Sequence, residues 1–129
     1  MITDVQLVEP LPGLSSGTAF TLEPIDESEH LFALRGTHGD PTRLFLMRPA
    51  PYFEAYSPRI DPTVLAALQL EGDDDARCSV LVIVTPRSGA FPATANLLAP
   101  LVLNTATGHA QQVILDGASW PLRAPLVAA

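Results

Sequence analysis

The chain has no lysine, and its seven bases are all arginines, set singly between Arg35 and Arg123. Binding nucleic acid through its phosphates needs a basic stripe or patch, so this scatter argues against direct contact with DNA or RNA. Cys78 is the sole cysteine, which excludes an internal disulfide and fits a reducing compartment. No apolar run approaches the roughly 18 residues of a membrane-spanning helix, so no membrane role is expected. The first nine residues carry Asp4 and Glu9 and no base, unlike a signal or transit peptide. A cytoplasmic protein is the expectation. Charged residues are scarce too, at 16% against 47% hydrophobic, and a disordered chain would show the reverse balance.

What remains is a chain of 129 residues that can bury one core as a single domain, residues 1–129, without disulfide or metal. Fourteen acids against seven bases leave a net charge of −7, a field that would steer a basic protein partner toward it. Thirteen prolines and eight glycines cut the sequence into short pieces of strand character. Val5–Val8, Ala19–Glu23, Leu31–Arg35 and Leu44–Met47 predict four strands, divided by Leu11-Pro12-Gly13, by the polar Asp26–Glu29 and by a turn from Gly36 to Pro41. Pro49, Pro51 and Pro58 then fix an irregular segment bearing Tyr52, Phe53 and Tyr56.

One helix is expected, over about 62–70. Asp61 is suited to cap its free N–H groups, Pro62 to its first position, and Gly72 to its stop. Cys78–Thr85 is β-branched and apolar on both faces, and it predicts the most buried strand. Ala93–Ala99 reads as a further strand. Leu101–Asn104 and Gln111–Leu115 form a hairpin about Thr107-Gly108, and Trp120–Val127 predicts an edge strand. The sum is a mainly β protein: a compact, antiparallel, barrel-like domain of about eight strands with one short helix.

No constellation of catalytic chemistry survives inspection, and no enzyme, metal or cofactor is expected. Gly13-Leu14-Ser15-Ser16-Gly17 matches G-x-S-x-G in letters, but Pro12 precedes it and a strand follows it, where a nucleophile elbow needs strand then helix. Glu27, Glu29 and His30 read as a solvated loop, since adjacent strand residues point to opposite faces. His38 and His109 sit in expected turns. Glu71 and Asp73, Asp74 and Asp75 lack the alternation of a calcium loop and read as a charge run or a partner-facing acidic patch.

The segment Ala93-Thr94-Ala95-Asn96-Leu97-Leu98-Ala99-Pro100-Leu101-Val102-Leu103-Asn104, followed across a hairpin by Gln112–Leu115, resembles the flagellar assembly factor FliW family. Leu11–Gly13, Leu44–Pro49 with Tyr52–Tyr56, Leu65–Leu68, Val80–Thr85 and Trp120–Arg123 fall in the order that family has them. Pro10, Leu14-Ser15 and Arg48 depart from its pattern. The resemblance implies a small barrel-like switch protein with two partners, flagellin and the RNA-binding carbon-storage regulator CsrA. When flagellin is exported, the freed factor would bind the regulator and lower its hold on flagellin mRNA. A monomer when free is expected. The contact surface would draw on Phe91, Thr94 and Asn96, on Tyr52, Phe53 and Tyr56, and on Asp73, Asp74 and Asp75, with Thr94 and Asn96 brought in by the motif.

Overall fold

The computed structural model describes residues 3–11, 17–25, 30–37, 39–72, 74–115 and 120–126. Nine strands and one helix follow in order: β1 (Thr3–Leu7), β2 (Ala19–Pro24), β3 (Leu31–Gly36), β4 (Arg43–Met47), α1 (Pro62–Ala67), β5 (Cys78–Thr85), β6 (Thr94–Ala95), β7 (Leu101–Asn104), β8 (His109–Gln112) and β9 (Ala124–Pro125). The G-x-S-x-G serines, Asp26–Glu29, His38 and Asp73 lie outside the described residues.

Seven strands close into a barrel in the order β1-β2-β3-β4-β5-β7-β8, while β6 and β9 extend the sheet past β5. Neighbours alternate in direction at every seam but one. Between β8 and β1 the pairing is parallel, Gln6 to His109 and Leu7 to Ala110. An odd ring cannot alternate all the way round, so one like-directed pair is unavoidable. Gly108 makes that seam possible. It has φ +82°, and a Cβ there would collide with the Asp4 carbonyl oxygen. Its own carbonyl accepts from Gln6 N at 2.9 Å.

The barrel interior is filled by Val5, Leu7, Phe20, Leu22, Leu34, Leu46, Leu81, Leu101 and Leu103. Odd-numbered residues of β5 point into this core and even-numbered ones outward, as the period of a strand requires. Outside, Met47, Val82 and Val84 are covered by Leu97, Phe53, Tyr56 and Trp120. The helix and the residues flanking it, through Ile60, Leu65, Leu68 and Leu70, lie over Val102 and Leu115.

This outer layer changes several sequence-based expectations. The most buried strand is β7, all four of whose residues are buried; β5 has three half-buried residues at its start and an exposed Thr85 at its end. The reason is coverage: Leu101 and Leu103 face the barrel core while Val102 lies under the helix layer. The expected strand over Ala93–Ala99 shrinks to Thr94–Ala95, because the Asn96 side chain accepts from Leu98 N (3.1 Å) and Ala99 N (3.0 Å) and turns the chain. The ladder expected for Gln111–Leu115 instead covers His109–Gln112, and the tail strand is only Ala124–Pro125.

The helix begins as expected. Asp61 accepts from Thr63 N at 2.8 Å, and Pro62 takes the first position. It stops earlier than expected, at Ala67 rather than near residue 70. Gln69, with φ +59°, takes the left-handed position in place of a glycine. Leu70 N then donates to Leu65 O (2.8 Å) and Gln69 N to Ala66 O (3.0 Å), the paired bonds of a Schellman ending. Leu65 and Leu70 share one apolar cluster, which supplies the hydrophobic contact of that motif and explains why Gln69 tolerates its backbone.

These two left-handed positions predict opposite responses. Gly108→Ala should lower stability by more than about 1 kcal/mol, since it adds strain and a clash at the parallel seam. Gln69→Gly should raise it by roughly 0.5 kcal/mol, by relieving a strained φ on an exposed turn. Urea unfolding of both variants checks this, and equal signs would contradict it.

Candidate functional site

The aromatic segment between β4 and the helix divides its side chains by direction. Pro49 O accepts from both Tyr52 N (3.0 Å) and Phe53 N (2.8 Å), which curls the chain into a tight turn. Tyr52 is left 54% exposed, while Phe53 packs against the outer apolar layer. Tyr56 turns inward. Its hydroxyl donates to Leu97 O at 2.7 Å, and its ring meets Trp120 edge-to-face at 4.7 Å. Burial pushes the Tyr56 hydroxyl up to about 12. Tyr56 thus ties the proline-rich segment to the loop after β6 and to the tail.

Tyr52 stands over an apolar groove of about 300 Å³ on the outside of the β4–β5 seam, with Ile25, Leu31, Phe45, Val84 and Leu126. Ala93 also lines it, one residue before Thr94, which is half-buried and pairs with Thr85 and Pro125. Phe91 projects from the preceding loop at 76% exposure, the most exposed large apolar side chain among the described residues. A turn in which Ser88 and Phe91 exchange backbone bonds of 3.1 and 2.9 Å holds it there. Asn96 is half-buried and spends its carbonyl on its own backbone.

The acidic run lies elsewhere. It precedes β5, whereas Thr85 and Phe91 lie at and beyond the other end, and eight strand residues span about 23 Å. Asp75 is clasped by Arg77, with Nη2 at 2.7 Å and Nε at 3.1 Å, and also accepts from Arg77 N (2.9 Å) and Glu71 N (3.1 Å). Only 8% of its side chain is exposed. The Arg77 guanidinium, with these backbone donors, holds the carboxyl well below the usual carboxylate range. Asp75 therefore braces the entry to β5, and Asp74 beside it is exposed. The structure brings Tyr52 and Ala93, the residue before β6, to one groove, turns Phe53, Tyr56 and Asn96 to packing and turn formation, and sets the acids apart.

Asn104 is a residue whose role the sequence reading missed. It is the sole fully buried polar side chain among the described residues. Its amide donates to Leu68 O (2.8 Å) at the end of the helix, and its carbonyl accepts from Ala106 N (2.9 Å) and Thr107 N (3.3 Å) in the hairpin. A lone Asn before a turn signals only the turn; the link to the helix is invisible without the fold. Among the described residues no three His, Cys, Asp or Glu side chains gather as metal ligands, and no helix is long and apolar enough to cross a membrane.

Residues 2–126 match the model of the family described as FliW protein. The chain belongs to the FliW family. A flagellar assembly factor FliW of Bacillus licheniformis is 28% identical over 116 residues, 90% of this chain and 80% of that protein. Its counterpart in Bacillus velezensis is 31% identical over 110 residues, 85% of this chain and 76% of that protein. A crystal structure of the flagellar assembly factor FliW superposes with a TM-score of 0.84 at 25% identity, covering 98% of this chain and 86% of that one. The barrel, short helix and outer strands described above are thus a FliW fold.

The Tyr56 hydroxyl gives a pH test. Its folded pKa lies above the ordinary value of 10.0, so its contribution is complete below about pH 10 and is lost as pH rises toward about 12. Tyr56→Phe should lower stability by about 1 kcal/mol at neutral pH and reduce the alkaline loss. Urea midpoints of both proteins from pH 7 to 11 measure it; parallel curves would contradict the assignment.

Proposed function

We propose that this chain is a non-enzymatic flagellar assembly factor. It binds flagellin and, once flagellin has been exported, binds and antagonises the carbon-storage regulator CsrA, so that flagellin translation follows export. The observation that carries this reading is the match of residues 2–126 to the FliW family, whose relatives are named flagellar assembly factors. The protein acts in the cytoplasm as a monomer when free, with flagellin and the regulator drawing on one pool of it. Whichever ligand is in free excess takes that pool, which is mass action between two equilibria.

The physical features agree with such a role. The barrel interior is packed with large aliphatic side chains, which disfavours an enclosed small-molecule site. Exposed apolar groups, Tyr52 and Phe91, sit on the outside, as a protein-binding surface requires. The net charge of −7 favours encounter with a basic RNA-binding partner and repels RNA itself.

Titration of the protein into the regulator from the same organism, followed calorimetrically with and without flagellin, tests the switch. Binding that flagellin abolishes is the expected result. Binding that flagellin leaves intact removes the competition and keeps the antagonist. Binding to flagellin alone leaves a chaperone, and binding to neither overturns the reading.

A further inference from the structure

The β5 strand is unevenly used along its two edges. On one edge it pairs with β7 over Cys78–Leu81 and then with β6 at Val84 and Thr85. On the other, β4 covers only Val82, Ile83 and Val84. The bonding parity is fixed by two contacts: Thr105 N donates to Arg77 O (2.8 Å) and Asn96 N to Ile83 O (2.9 Å). Odd-numbered residues of β5 thus bond toward β7 and β6, and even-numbered ones toward β4. Val82 and Val84 meet Met47 and Phe45 there. Val80 points the same way and finds no strand.

Proline explains why. Continuing the register of β4 would set residue 49 opposite Val80, and Pro49 has no N–H to give its carbonyl. The Pro49 carbonyl is already taken by Tyr52 N and Phe53 N. Both halves of the next rung are therefore denied, and the chain swings away. It leaves a groove of about 440 Å³ between Cys78–Val80 and a wall that includes Pro49, Ala50 and Glu54. Of the two residues whose bonds point into it, Cys78 donates its N–H to Asp75 O (2.9 Å), whereas among the described residues the N–H and C=O of Val80 have no backbone partner.

We infer that this groove accepts an extended, basic segment of a partner protein as a short added strand that bonds the N–H and C=O of Val80. Backbone donors and acceptors on a strand edge are met most fully by another backbone. The charge around the strand's entry favours a basic segment. Glu54 lines the groove, Glu71 and Asp74 are exposed beside the start of β5, and Arg77 is engaged by Asp75. Arg48 also lines the groove, with its guanidinium over the Phe32 ring at 5.5 Å, and is one base against the three acids Glu54, Glu71 and Asp74. A second copy of this chain fits poorly, because its own β5 edge is recessed behind the same wall. The inference holds for whichever partner carries the segment and does not depend on the partners named above.

The test uses the whole ¹⁵N-labelled protein and a blocked peptide of about ten residues alternating lysine and valine. Controls are the same peptide with glutamate for lysine, and one with alternate backbone amides methylated. In the free protein the Val80 amide should exchange at least tenfold faster than those of Ser79 and Leu81. The lysine peptide should shift the resonances of Ala50 and Cys78–Leu81 and slow Val80 exchange at least tenfold. Both control peptides should bind at least tenfold more weakly. Ala50→Trp, which fills the groove from an exposed position on the far wall, should weaken binding at least tenfold, as should Val80→Pro, which removes the N–H without touching the β7 ladder. If Val80→Pro does not fold, Ala50→Trp and the methylated peptide decide. A slowly exchanging Val80 in the free protein would overturn the inference. So would absence of shifts at about 1 mM peptide, equal binding of the methylated peptide, or a concentration-dependent dimer through these residues.

Discussion

Seven strands cannot close into a ring by antiparallel pairs alone, and the rest of this molecule follows from where the exception falls. It falls between β1 and β8, where only two residue pairs are in register. So short a seam needs help. Gln6 N reaches past the ladder to Gly108 O, and Val8 N reaches to Ala110 O, each at 2.9 Å. The turn carrying Gly108 is pressed against the β1 backbone, with no room for a Cβ. Gly108 thus serves both as the corner of the β7–β8 hairpin and as the point at which the barrel shuts. A residue that looks like ordinary turn chemistry carries the closure.

The second dependence runs outward from the barrel. A six-residue helix is too short to hold itself together, and its stability comes from what it covers. Asn104 makes that cover specific. Leu65, Leu68 and Leu70 could slide over Val102 at little cost, but the bond from the Asn104 amide to Leu68 O fixes one position. The same side chain satisfies two N–H groups of the hairpin that contains Gly108. Breaking it would leave the buried Leu68 carbonyl unmet, which is costlier than the net worth of that bond, and would strip two N–H groups of the hairpin of their acceptor. Helix placement and barrel closure are therefore joined through one amide.

This outer layer also shapes the surface available to a partner. The proline-rich segment leaves β4, is pinned by Tyr56 to the backbone after β6, and parts from β5 at Pro49. One groove opens on each side of the departure: an apolar one beneath Tyr52 and a more polar one along Cys78–Val80. Prolines at these positions end the sheet without leaving a long bare edge, which is how a small β protein resists pairing with its own copies. The proposed role needs a surface that meets other proteins. Confining unpaired backbone to a recessed site reconciles that need with resistance to self-pairing.

Strand positions were legible in the sequence because alternation and proline punctuation are local. Cys78–Thr85 and Leu101–Asn104 match the observed strands residue for residue, and Asp61-Pro62 marks the start of the helix correctly. The Asn96 turn, which cuts short the strand expected over Ala93–Ala99, was not legible, although its bonds run only two and three residues along the chain. Nor was the end of the helix. Gly72 was the apparent stop, but Leu65 and Leu70 join one cluster with Val102 and Leu115 from far along the chain, and Gln69 takes the left-handed position. Burial of β7 over β5, the parallel seam and the reach of Asn104 across 36 residues were decided in the tertiary structure alone. So was the division of the aromatic and acidic residues, with Tyr56 and Asp75 turned to internal bonds while Tyr52 and Asp74 stay exposed. The sequence by itself determined which segments are strands, because hydrogen bonding and side-chain period act between near neighbours. Which face each side chain serves depends on what the closed barrel sets opposite it, and that is a long-range fact.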